Sequence, residues 1–220
     1  MLSTRSLRLP RAFVLSALLP LGCVSISLHE LTPPAEHGRA VRNGEAGLAA
    51  ACRLVTAPEE ARFFFGADLI ALGILPLIVQ LENASGDTLR FSASDARVTL
   101  ADGATLVHLP WSAAAEAASF SYWRAVPGFL FAVIPGLVIA DSVALTNARI
   151  AGHYRHLAVE EAALPPGARK LGAVFFAPRD GGKLDVEAAA RGAEARLPFA
   201  RRAEPNAAPR ELLIPLPGAP

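Results

Sequence analysis

Apolar and polar positions alternate in short runs over two parts of the chain, with turn-forming residues between the runs. Residues 50–56 form a first apolar run, and residues 74–81 are the clearest strand by their β-branched content. Asn83, Ser85, Gly86 and Asp87 supply turn chemistry, after which Leu89 and Phe91 alternate with Thr88, Arg90 and Ser92. Val98 and Leu100 share one face of the next run. Asp102-Gly103 then signals a two-residue type I′ hairpin, answered by a strand at 105–109. Residues 170–177, 184–190 and 195–200 repeat the pattern near the C-terminal end. Turns spaced this closely predict a mainly β fold: an antiparallel, Ig-like β-sandwich of about seven strands.

The alternation stops at Pro110. Residues 112–119 are alanine-rich and compatible with helix by propensity. Phe120, Tyr122, Trp123 and Arg124 follow, and then residues 125–140 run for sixteen positions without a charge. A helical span of a bilayer core needs about 20 apolar residues, so this run is too short to cross comfortably. Pro127-Gly128 and Pro135-Gly136 interrupt it. A run of this kind must fold back on its own domain, dip into a bilayer or dock on a partner. Folding back is the first expectation for so short a run, and it predicts that Ile134→Asp costs several kcal/mol. Trp123, Phe129, Phe131, Ile134 and Leu137 are the contact residues if the run meets a membrane or a partner instead. Asp141 is positioned to cap a helix reaching about residue 163, with Val143, Asn147, Ile150, Tyr154 and Leu157 on its inner face.

The first 23 residues have the pattern of a targeting segment. Arg5, Arg8 and Arg11 precede the ten apolar-rich residues 12–21. Leu19-Pro20-Leu21-Gly22-Cys23 resembles the lipobox of bacterial lipoproteins, with Pro20 where that family prefers Leu. The resemblance implies cleavage before Cys23 and lipidation of its thiol. Val24 follows, where an Asp would signal inner-membrane retention, so the resemblance implies the periplasmic face of the outer membrane. With Cys23 lipidated, Cys52 is the one thiol left and no internal disulfide is expected. The predicted organisation is a leader at 1–22, a tether at 23–48, a sandwich at 49–200 with a helical insertion at 112–163, and a proline-rich tail at 201–220. His29 and His37 belong to that tether as solvated residues.

With 52% hydrophobic and 19% charged residues, the chain can fill a core; its formal charge of +1 gives no field suited to nucleic acid. No nucleophile-elbow, zinc-protease, dinucleotide or phosphate-loop motif is present in the sequence. Asp68, Asp95 and Asp102 fit turn or cap positions. His153, His156 and Glu160 share one stripe of the predicted helix, but no third strong metal ligand stands at a recognisable spacing, so the stripe reads as a solvated face. A Cys52 nucleophile would need His108 or His153 beside it. These readings predict a non-catalytic, lipid-anchored protein of the bacterial envelope without metal or cofactor. It would bind or scaffold an envelope partner through the insertion, the alternative being a component that inserts residues 125–140 into the bilayer.

Overall fold

The computed structural model describes residues 28–34, 41–45, 47–119, 133–201 and 209–217. In chain order the strands are β1 (Val41–Glu45), β2 (Leu48–Leu54), β3 (Leu75–Asn83), β4 (Leu89–Ser92), β5 (Arg97–Leu100), β6 (Thr105–Leu109), β7 (Glu161–Leu164), β8 (Arg169–Pro178), β9 (Gly192–Arg201) and β10 (Arg210–Pro217). Helix α1 (Pro58–Phe65) joins β2 to β3. Helices α2 (Trp111–Ala118) and α3 (Val133–Leu157) lie between β6 and β7, and α4 (Val186–Arg191) precedes β9.

All ladders between these strands are antiparallel, in the order β1-β2-β3-β8-β6-β5-β9-β4-β7. Consecutive strands β5 and β4 share one edge of β9, opposite residues 193–196 and 199–201, and β10 takes its other edge. β10 also lies beside β1 and β2 at the far end of the order, but the sheet does not close into a barrel. The fold is therefore the mainly β, antiparallel sandwich that the alternation predicts, with ten strands among the described residues instead of about seven.

Residues 75–79 of β3 and 172–176 of β8 are buried on both faces, which is why these two strands read as nearly unbroken apolar runs. Phe175 packs on Phe65 of α1 and Tyr154 of α3, while its neighbour Phe176 points to the opposite face. β8 thus separates the helical layer from the sandwich interior.

Several boundaries differ from those the sequence predicts. The described parts of the 23–48 tether are tied to the domain: Leu31 and Pro34 are buried, and β1 pairs with β2 from Val41↔Cys52 to Glu45↔Leu48. Within it, His29 is not solvated linker but stacks on Phe63 of α1; His37 lies outside the described residues. The 201–220 tail contains β10, where Leu212, Ile214 and Leu216 are buried and Glu211, Leu213 and Pro215 are exposed. Pro215 and Pro217 are two apart and share one strand edge, so the other edge keeps its N–H donors. Residues 186–191 are helical instead of forming a strand, because Asp185 Oδ1 accepts the Ala188 N–H at 2.8 Å and good helix formers follow it. The 102–103 hairpin closes with a three-residue turn: Gly103 N donates to Leu100 O, and Gly103 sits at φ 87°.

The helical insertion runs from Trp111 rather than 112 and ends before β7, not at 163. Asp141 lies inside α3, exposed, because the apolar run itself supplies the preceding turns. Val143, Ile150, Tyr154 and Leu157 are buried as expected. Thr146 takes the buried place predicted for Asn147, which is half-buried.

Candidate functional site

The insertion is held at its base by the last two turns of α3. A helix leaves its final carbonyls without intrahelical partners, and α3 supplies partners for two of those at the end of α1. His153 Nε2 donates to Phe64 O at 2.7 Å, and Tyr154 Oη donates to Phe65 O at 3.1 Å. Gly66, left-handed at φ 72°, completes the end by donating to Arg62 O. The Tyr154 ring is fully buried and stacks on Phe175 with centroids 5.5 Å apart. Burial pushes the Tyr154 phenol upward, so the hydroxyl stays a donor at any ordinary pH. On its other side α1 is held to β2 by Arg53, which pairs with Glu60 and lies over the Phe64 ring.

The two ends of the insertion meet at Glu160. Its carboxylate accepts the Trp111 N–H at 2.6 Å, satisfying the first turn of α2, whose preceding residue is Pro110 and offers no side-chain cap. Its carbonyl accepts the Ala93 N–H at 2.7 Å. His108 Nε2 stands 3.9 Å from the same carboxylate; burial lowers the His108 pKa and the Glu160 charge partly opposes that. The chain then crosses β8 closely: Val159 N donates to Ala173 O, and a Cβ at Gly172 would overlap Val159 and come within 2.7 Å of Leu157 O.

From this base the described helix runs back through Leu145, which is 57% exposed, to residues 133–140, the last eight of the apolar run. Ile134 and Leu137 lie within α3. At about 1.5 Å per residue, Ile134 is about 24 Å along the axis from Ile150. No described helix is long and apolar enough to cross a membrane. Cys23, Trp123, Phe129 and Phe131 lie outside the described residues.

The side chains with chemical potential have structural neighbours. Cys52 is fully buried on β2, where desolvation raises its thiol far above the usual range. His153 is bonded to α1 and His108 stands by Glu160, and no hydrogen bond joins either to Cys52 among the described residues. His156 is exposed, and no metal-binding group of three or more ligands occurs among the described residues. Asp68 Oδ1 accepts the Ala71 N–H and Asp102 Oδ1 accepts the Ala104 N–H, the turn roles their positions predict. An open groove of about 460 Å³ lies between the β5–β6 turn and the loop after β8, edged by Asp102, Asp180, Asp185, Arg179 and Lys183. All three of its carboxylates, on Asp102, Asp180 and Asp185, accept nearby backbone N–H groups.

The sequence reading misses Glu160 as the clasp and Asn83 as more than a turn residue. Buried Asn83 donates to Asp87 O and Leu164 O, each at 2.7 Å, and accepts from Ser85. Both act across sequence distance, where periodicity carries no signal. No family model matches this chain, and no curated protein or solved structure is significantly similar to it.

Proposed function

We propose that this is a non-catalytic lipoprotein of the bacterial envelope, anchored through a lipid on Cys23 at the periplasmic face of the outer membrane. It binds or scaffolds an envelope protein through its helical insertion. The observation that carries the reading is the division of labour along α3. Its inner face is buried from Val143 to Leu157, and the helix packs on α2, α1 and β8, tied to α1 by His153 and Tyr154. The apolar residues 133–140 continue the same helix upstream of that attachment. The groups able to do chemistry, Cys52, His108, His153 and Glu160, are engaged in burial or in tying the insertion to the sheet, which supports a binding role over a catalytic one.

Ile134→Asp tests the reading. A contact surface predicts an unchanged melting temperature for the lipid-free domain and loss of association with envelope partners. Burial within the domain predicts instead that an unpaired carboxylate lowers the melting temperature strongly. Retained association together with a lowered melting temperature overturns the contact reading. If association with protein-free liposomes is lost instead, the run acts by entering the bilayer.

A further inference from the structure

The segment just after the lipidation position is a strap on the surface of the domain. His29 stacks on Phe63 of α1 with centroids 3.9 Å apart and planes within 5°. Leu31 is 8% exposed and belongs to the core cluster, and Pro34 is buried. This docking changes the reach of the anchor. A free tether from Cys23 to Leu48 could extend about 90 Å, whereas the six steps from Cys23 to His29 extend at most about 22 Å at about 3.6 Å each. That bound holds in any conformation of the intervening residues.

A lipidated Cys23 has its backbone at headgroup level, so the surface beside His29 is kept within that short reach. The surface is apolar for an exposed one. Phe63 is 50% exposed on α1, and Leu72, in the connector that follows α1, is 48% exposed. The charged residues around them, Glu30, Glu59 and Asp68 against Arg62, carry a small net negative charge, with Arg62 bonded to Asp68. Association here would rest on apolar contact and short reach, not on a charged field.

We propose that the strap holds the α1 face of the domain, at His29 and Phe63, against the same bilayer leaflet that carries the Cys23 lipid. The inference rests on the lipoprotein reading and extends it from attachment to orientation. β3 rises eight residues, about 26 Å, from the α1 end of the sheet to Asn83, so the turn at 84–87 stands away from the membrane.

The test uses the full-length lipidated protein in phosphatidylcholine vesicles containing a headgroup spin label. A bimane fluorophore is placed on Glu59→Cys, one turn before Phe63 on an exposed face of α1, or on Gly86→Cys, where an added side chain meets nothing. The buried Cys52 stays unlabelled. Quenching is expected to be several-fold stronger at 59 than at 86, insensitive to salt, and to fall toward the level at 86 when about twenty Gly-Ser residues are inserted after Val24. Equal quenching at both sites, or no response to the insertion, overturns the proposal while leaving the anchor intact. A chain whose intact mass lacks the lipid, and which fails to float with vesicles, shows that the anchor reading itself failed and the orientation falls with it.

Discussion

Replacing Tyr154 tests whether the helical insertion is held to the sheet by the contacts described. The ring is fully buried between Phe65 and Phe175, and the hydroxyl donates to Phe65 O. An aromatic side chain buries about 150–250 Å², which at about 25 cal/mol per Å² gives about 4–6 kcal/mol as an upper estimate. Aromatic-to-alanine changes in cores cost about 3–5 kcal/mol, in line with that figure. Tyr154→Phe keeps the ring and leaves the Phe65 carbonyl without its donor, a cost of about 1–3 kcal/mol. Packing therefore outweighs the hydrogen bond. A domain of ordinary stability, about 5–15 kcal/mol, should keep its fold in Tyr154→Phe and lose a large share of its stability in Tyr154→Ala. Urea titration of the lipid-free protein, followed by near-ultraviolet circular dichroism, reads the global cost. Hydrogen exchange shows whether α3 opens first. A Tyr154→Ala cost below about 1 kcal/mol, or equal costs for the two variants, would refute the claim that this ring anchors the insertion.

His108 and Gly172 test the base of the insertion from two other sides. Burial lowers the folded pKa of His108 below its ordinary 6.5, so between the folded value and 6.5 the unfolded chain binds more protons. The His108 contribution is then fully present above 6.5 and lost as pH falls through the folded value. Stability should drop more steeply on acidification in the wild type than in His108→Gln, and equal slopes in urea titrations would contradict this. Gly172→Ala forces the 157–159 crossing away from β8 and should cost about 1–3 kcal/mol with faster exchange in α3, whereas Gly86→Ala should stay within about 0.5 kcal/mol.

What the sequence made legible was local. β3 through β6, β8 and β9 were readable because their apolar positions follow a period of two or run unbroken, with Asn, Asp and Gly between them. α2 and the inner face of α3 were readable from propensity and from the spacing of Val143, Ile150, Tyr154 and Leu157. The misreadings occur where composition points away from the local pattern. β10 alternates through Leu212, Ile214 and Leu216 but was masked by flanking prolines, and β1, residues VRNGE, has no apolar repeat of its own and forms by pairing with β2. Residues 184–190 read as a strand from the spacing of Leu184 and Val186, whereas Asp185 caps them into the helix α4. The clasp at Glu160, the Asn83 hub and the His29–Phe63 stack depend on residues brought together by the fold, and a single sequence holds no trace of such pairings. Residues 134 and 137 were legible as part of a charge-free run, but the bonds that His153 and Tyr154 of α3 make to the end of α1 were not.

The proposed lipid anchor on Cys23 would set the compartment, the orientation and the surfaces open to partners. Its most direct measurement is the intact mass and N-terminal fragment spectrum of the mature chain extracted from bacterial membranes. A lipid-anchored protein gives a chain that begins at Cys23 and carries a lipid adduct on that residue, with Cys23→Ala leaving the leader uncleaved or the chain in the soluble fraction. A mature chain with a free Cys23 thiol, cleavage at another position, or unchanged membrane fractionation of Cys23→Ala would contradict it.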